Sequence, residues 1–110
     1  MVVPLHQAKA ELFRTLGHPV RIRVLELLLD RPRPVHELLA ETEVEASSLS
    51  QQLAVLRRAG LVESGRDGAA VVYTLSAPEV AELMAAARQV LSKVLMDREG
   101  LLAELSGPQS

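Results

Sequence analysis

Apolar residues recur at helical spacing in several separate segments of the chain. The first segment predicts a helix over residues 5–16 that ends at Gly17. Its apolar positions are Leu5, Ala8, Leu12, Phe13 and Leu16. A second helix is predicted to open at His18-Pro19, because proline early in a helix costs no hydrogen bond. Residues 30–34 contain two prolines and break this helix.

Two short apolar segments follow and are separated by a turn at Thr42-Glu43-Val44. The first predicts a third helix with Val35, Leu38 and Leu39 on its inner face. The second predicts a fourth helix that Gly60 ends. Its inner positions are Leu49, Leu53 and Leu56. Ser47 and Ser48 suit its cap region, where hydroxyls can accept hydrogen bonds from backbone N–H groups. Helices three and four together predict a helix-turn-helix.

The remainder of the chain predicts a hairpin and one long helix. Apolar runs on either side of Asp67-Gly68 predict strands over 61–66 and 70–75. Pro78 opens a last helix with an apolar stripe of about seven turns, which ends before Gly107-Pro108. The stripe consists of the row Val80, Ala87, Val94 and Leu101 and the row Met84, Leu91 and Leu105. We expect the stripe to face a second copy, with the first helix beside it; a helix that covers its own domain is the alternative.

Composition narrows the class of protein. With 110 residues, we expect one domain over 1–110. One Phe, one Tyr and no Trp predict an aliphatic core. The absence of cysteine excludes disulfides, thiolate metal sites and thiol redox sensing. We expect a cytoplasmic protein with no membrane contact, because the sequence has no signal-peptide pattern and no apolar run long enough to span a bilayer.

The distribution of charge matters more than its total. The net charge of −2 argues against a nucleic-acid binder. However, residues 47–66 carry three arginines, Arg57, Arg58 and Arg66, against the single acid Glu63. The acids gather at Glu37, Glu41, Glu43, Glu45, Glu79, Glu82, Asp97, Glu99 and Glu104. A locally basic face on an acidic body can still bind phosphate.

The fourth helix carries the candidate chemistry. Its outward face consists of Ser47, Ser50, Gln51, Ala54 and Arg58. Serine hydroxyls can bond to phosphates or bases, and Gln51 can pair with two atoms of an adenine edge. Arg57 and Arg58 near the helix end suit phosphate, and Arg66 beside the hairpin tip suits the DNA backbone or minor groove. The pattern predicts a helix that enters the major groove; a merely solvated polar face is the alternative.

Two segments carry a resemblance to a known family. They are Phe13-Arg-Thr-Leu-Gly-His-Pro-Val-Arg-Ile-Arg-Val-Leu-Glu-Leu-Leu28 and Ser47-Ser-Leu-Ser-Gln-Gln-Leu-Ala-Val-Leu-Arg-Arg-Ala-Gly-Leu-Val62, followed by Asp67-Gly68 and Tyr73. Over about residues 5–95 the chain resembles the ArsR/SmtB family of winged-helix repressors.

The resemblance implies a mainly α fold with a small β-hairpin, a winged helix-turn-helix of order α-α-α-α-β-β-α. It also implies a homodimer through the first and last helices, at about 5–16 and 78–105, on an inverted-repeat operator. By the family pattern, Ser47, Ser48, Ser50 and Gln51 read the groove of double-stranded DNA. Family members often carry a basic residue just past the wing glycine, where this chain has Ala69-Ala70. Arg66 is therefore the predicted wing contact.

The usual sensor residues of such relatives are missing from the sequence. The third-helix segment 34–38 lacks a Cys-x-Cys pair, and residues 78–105 contain no histidine. His18 is interpreted as a helix-start residue. His36, next to Glu37, and His6, which could meet carboxylates at 97, 99 or 104 of a partner, are candidates for a non-standard divalent-metal site. For both, a surface histidine is the alternative, and we predict no cofactor.

Taken together, these patterns predict a sequence-specific transcriptional regulator, acting as a repressor. One alternative is a DNA-binding subunit whose sensing is delegated to a separate partner protein. Another is a sensor with a non-standard His/carboxylate metal site, and a third is a winged-helix module that binds protein. An enzyme is not expected, because the sequence shows no nucleophile–base pattern and no phosphate-binding glycine loop.

Overall fold

The computed structural model describes residues 2–105, which form five helices and three strands. In chain order these are α1 (Leu5–Leu16), α2 (Pro19–Leu27), β1 (Arg33–Pro34), α3 (Val35–Thr42), α4 (Ala46–Arg58), β2 (Val62–Asp67), β3 (Ala70–Leu75) and α5 (Pro78–Leu105). The mainly helical class, the helix-turn-helix and the hairpin are confirmed. The expected end of the last helix before Gly107-Pro108 lies outside the described residues.

The core is built from aliphatic side chains, as the composition predicts. Helix α2 lies at its centre and contacts α1, α3, α4 and α5. The largest fully buried side chains are Val24, Leu25, Leu38, Leu49, Leu56 and Val62. Tyr73 from β3 joins this core, whereas Phe13 on α1 is 60% exposed. The predicted inner face of α4 is confirmed, so its opposite face is turned to solvent.

The starts of two helices show which caps the chain uses. His18 is the N-cap of α2, and its Nδ1 accepts a hydrogen bond from the backbone N–H of Val20 at 3.2 Å. Its interpretation as a helix-start residue is confirmed. Helix α4 begins at Ala46 with Glu45 as N-cap, and no side chain caps it. The predicted capping role of Ser47 and Ser48 is therefore wrong, because both already lie inside the first helical turn.

The second strand of the hairpin lies over 70–75 as predicted, but the loop and the first strand are displaced by one residue. Asp67 pairs with Ala70, so the two loop residues are Gly68 and Ala69 rather than Asp67-Gly68. Gly68 has a φ of 65°, which suits glycine at the first position of a two-residue loop. The predicted strand over 61–66 is β2 at 62–67, because the loop sets the pairing of the whole ladder.

A third strand was not predicted from the sequence. Strand β1 pairs antiparallel with β3, with Arg33 opposite Tyr73 and Pro34 opposite Val72, so the sheet order is β1-β3-β2. The sequence showed only a helix-breaking segment here. A proline is tolerated because β1 is an edge strand. The pairing fixes the base of the hairpin to the segment between α2 and α3.

Helix α5 packs on the domain only through its first turns. Val80 and Met84 of the predicted stripe are buried. The later stripe positions Leu91, Val94, Leu101 and Leu105 are exposed in the single chain. No helix of the described part is both long and apolar enough to cross a membrane.

Candidate nucleic-acid interface

The outward face of α4 presents a row of hydrogen-bonding side chains. Ser47, Ser50 and Gln51 are exposed, and Ser48 is half-buried at the edge of the face. None of these four side chains forms a hydrogen bond with another residue within 2–105. Their donors and acceptors are therefore available to a ligand, while three buried leucines hold the helix from behind.

Three predicted cations lie next to this face. Arg57 and Arg58 are exposed at the end of α4, and Arg66 is exposed on β2. The Arg57 Nη1 donates to Ser64 Oγ at 3.4 Å, which joins the end of α4 to the hairpin. No ion pair among residues 2–105 involves these three arginines. Because no salt bridge holds these guanidinium groups, they are available to the phosphate backbone.

The arginines between α2 and α3 are bound to acids instead. Arg31 Nη2 lies 2.9 Å from Glu37 Oε2, and Arg33 Nη2 lies 3.2 Å from Asp30 Oδ1. The hydrogen bond from Arg33 holds the pKa of the Asp30 carboxyl below its usual value. Arg33 Nε also donates to the Leu27 carbonyl oxygen at 2.8 Å. This cluster ties the end of α2 to α3 and leaves little free positive charge there.

One polar contact behind α4 was missed by the sequence reasoning. Arg21 on α2 donates from Nε to Gln52 Oε1 at 2.7 Å and from Nη1 to the Thr15 carbonyl oxygen at 3.0 Å. Arg21 and Gln52 are both half-buried. The available signal was that Gln52 follows Gln51 by one position, which is about 100° around a helix. Gln52 lies three residues after Leu49 and four before Leu56, so it borders the buried leucine face, whereas Gln51 points outward.

The histidine candidates lie apart from each other. His6 is exposed on α1 and His36 is exposed on α3. Within residues 2–105 of a single chain, no group of three or more His, Asp or Glu side chains is placed to hold a metal ion. Any site that uses carboxylates of a second copy involves contacts between chains.

An apolar groove of about 330 Å³ lies between α2 and α5. Its lining includes Ile22, Met84, Ala87, Leu91 and Leu95. The groove continues into the exposed stripe of α5. Leu5 and Phe13 of α1 are also exposed in the single chain.

Comparison with known proteins gives consistent matches. The model of the bacterial regulatory protein family arsR matches residues 18–64, from the N-cap of α2 into β2. The HTH-type transcriptional regulator Rv0081 of Mycobacterium tuberculosis is 56% identical over 103 residues, which are 93% of this chain and 90% of that protein. Its crystal structure matches with a TM-score of 0.83 and 57% identity, over 88% of this chain and 98% of that chain.

Two further relatives have known structures. The transcriptional activator HlyU of Vibrio cholerae is 42% identical over 69 residues, which are 63% of this chain and 64% of that protein. Its reduced form matches with a TM-score of 0.71 and 34% identity, over 77% of this chain and 90% of that chain. The homodimeric winged helix-turn-helix DNA-binding domain of Mb0332 from Mycobacterium bovis matches with a TM-score of 0.76 and 28% identity, over 83% of this chain and 84% of that chain.

Proposed function

The chain belongs to the ArsR family of bacterial regulatory proteins, and on that premise we propose that it acts as a homodimeric repressor on an inverted-repeat operator. It is a DNA-binding transcriptional regulator with a winged helix-turn-helix fold, and its family consists of regulators rather than enzymes. The further proposals concern the residues that bind DNA, the dimer, the direction of regulation and the signal.

The free polar face of α4 is the observation that carries the proposed site. Gln51 is the proposed base-reading residue, because its amide can donate to and accept from an adenine edge. Ser47, Ser48 and Ser50 bind phosphate oxygens or base edges from the same helix. Arg57 and Arg66 bind phosphates on either side, since neither has an acidic partner within residues 2–105. Arg58 supports the same phosphate contacts.

The exposed apolar surface supports the proposed dimer. We propose a single domain over 1–110, with α1 and α5 as the dimerisation helices. Leu91 and Leu105 are 60% and 74% exposed in the single chain, and Leu91 also lines the α2–α5 groove. Contiguous apolar surface of this kind marks a protein–protein contact. The Mb0332 domain, which has a matching fold, is homodimeric.

Repression is proposed because a dimer on an operator that overlaps a promoter excludes polymerase. HlyU bears the name of an activator. A reporter gene behind the natural upstream DNA, with and without this regulator, therefore decides the direction.

Sensing is proposed to be delegated to a partner protein, because the sequence lacks cysteine and has no histidine in 78–105. The competing proposal is a non-standard metal site that joins His6 of one copy to carboxylates of the other. Operator affinity measured with Zn, Ni and Co separates the two. A response to one metal that the His6→Ala change abolishes favours the site. Indifference to all three excludes the metal site and leaves delegated sensing, an organic ligand or a loss of sensing.

The proposed reading face is tested by fluorescence anisotropy on the protein's own upstream DNA and on an unrelated duplex, at two salt concentrations. Gln51→Ala is expected to weaken operator binding by about 1–3 kcal/mol, because it removes a two-atom base contact. Binding to the unrelated duplex is expected to stay unchanged.

Gln89→Ala is the matched control, because Gln89 is an exposed glutamine on α5. If Gln51→Ala and Gln89→Ala bind the operator equally well, Gln51 does not read a base.

A further inference from the structure

The Arg21 guanidinium lies behind α4 and forms hydrogen bonds with α4 and with the end of α1. We propose that Arg21 is a positioning residue for DNA recognition, which fixes the orientation of α4 through Gln52 without touching DNA. The inference rests on the proposed reading face of α4. It gives a role to Arg21 of α2, which lies in the first of the two segments that carry the family resemblance but was not among the predicted DNA-binding residues.

The two hydrogen bonds of Arg21 connect α2 to two different helices. Its Nε donates to the Gln52 side chain of α4 at 2.7 Å, and its Nη1 donates to the Thr15 carbonyl in the last turn of α1 at 3.0 Å. Carbonyls in the last turn of a helix lack helical partners and carry partial negative charge. The cation therefore satisfies the end of α1 and α4 at once. Because the guanidinium is planar and rigid, it also fixes their relative orientation.

The position of Gln52 makes this link relevant to reading bases. Gln52 directly follows Gln51, and adjacent residues on a helix point about 100° apart. A bond that holds Gln52 against α2 restrains the rotation of α4 about its own axis. It thereby restrains the direction in which Gln51 leaves the helix. The three buried leucines already hold α4 against the core, and a directional charge-assisted hydrogen bond adds a further restraint on its rotation.

Arg21 has no acidic partner within residues 2–105, so a direct phosphate contact is the competing explanation. The two roles differ in salt dependence. A lost phosphate contact weakens binding to every duplex and lowers the salt slope by about one. A lost positioning contact weakens operator binding selectively and leaves the salt slope unchanged.

The test is a double-mutant cycle on operator affinity, with Arg21→Met, Gln52→Met and the double variant. Each single change is expected to weaken operator binding about tenfold, which is typical of a hydrogen bond to a charged group. The double variant is expected to bind no more weakly than either single variant, because both remove one link. Affinity for an unrelated duplex and the salt slope are expected to match the wild type.

Two further variants complete the design. Arg21→Lys keeps the charge but not the fork, so it is expected to bind as weakly as Arg21→Met. Arg23→Met removes an exposed arginine two residues along α2, which pairs with Glu26 and with Glu41 of α3 rather than with α4, and it is the charge-matched control. It is expected to bind the operator like the wild type. Thermal unfolding of every variant confirms that the domain is folded; if Arg21→Met does not fold, Gln52→Met and Arg21→Lys carry the test.

Additive losses, rescue by Arg21→Lys or a reduced salt slope would overturn the proposal in favour of a phosphate contact. Operator binding unchanged in the variants would overturn it as well. The proposed function fails separately, if the wild-type protein shows no preference for its upstream DNA over the unrelated duplex.

Discussion

Arg66 illustrates how the surroundings of a single residue decide its role. It is exposed on β2, beside the hairpin loop, and forms no ion pair within residues 2–105. Arg31 and Arg33 have the same chemistry, but acids hold them at 2.9 and 3.2 Å. Arginines without a salt bridge thus lie at the end of α4 and on β2, although the whole chain has a net charge of −2.

We predict that Arg66→Ala weakens binding to operator and unrelated DNA by a similar factor and lowers the salt slope by about one, as the loss of one phosphate contact requires. The measurement is anisotropy over a salt series. Arg31→Ala is the control, since Arg31 lies between α2 and α3 and is paired with Glu37. A slope unchanged in Arg66→Ala would remove the hairpin from the DNA interface.

For single residues, the sequence predicted which face of a helix a side chain occupies better than it predicted its hydrogen-bond partner. The alternation of inner leucines around α4 was enough to place Gln51 and Ser50 on the outer face. The bond between Arg21 and Gln52 joins residues 31 positions apart, and no local pattern specifies such a pair. The capping role expected of Ser47 was wrong because Glu45, a residue less typical of caps, takes that position.

Among the elements, the hairpin depends most on one backbone conformation. Gly68 is the residue of the β2–β3 loop with a positive φ, and an added Cβ would meet nothing within 4 Å. Any cost of substitution there is therefore conformational rather than steric. Gly65 lies in β2 with equally open surroundings but no positive φ. A substitution there therefore shows the effect of an added Cβ without the conformational cost.

We predict that Gly68→Ala lowers the free energy of unfolding by about 1 kcal/mol, because the left-handed region disfavours a Cβ. Gly65→Ala is expected to leave it unchanged or to raise it by about 0.5 kcal/mol, since glycine weakens a strand. Urea unfolding followed by circular dichroism measures both. Equal effects of the two changes would show that the loop does not depend on this conformation.

Element types were predicted more accurately than element boundaries. Helices α1, α2 and α5 began where the sequence placed them, because Pro19, Pro78 and the apolar spacing are strong local signals. Strand β3 lies where it was predicted, whereas β2 and the loop shifted by one residue because an Asp-Gly pair can occupy the loop or straddle its edge. Strand β1 was missed because two residues have no periodicity, and only pairing with β3 defines them.

At the scale of the whole molecule, the second half of α5 exposes an apolar stripe that no part of the same chain covers within residues 2–105. Its predicted apolar rows continue to Leu105, yet burial stops after Met84. The sequence predicted the stripe from periodicity alone. It could not specify how two copies pack, because that depends on the shape of both surfaces.

We predict that Leu91→Glu produces monomers and abolishes operator binding together, because a charge at the dimer contact would be buried without a partner. Sedimentation velocity and anisotropy measure the two effects. Gln89→Glu is the matched control, since it adds the same charge to α5 on the opposite side of the helix. A Leu91→Glu protein that stays dimeric on DNA would contradict the proposed interface.

The exposed half of α5 also bears on how the cell could set the activity of this regulator. If only the dimer binds both half-sites, and most chains are monomers at low concentration, the concentration of dimer rises with the square of the chain concentration. Synthesis and proteolysis of the chain then act as steep controls on promoter output. A regulator that depends on dimerisation in this way responds to the number of its own chains in the cell without binding any small molecule.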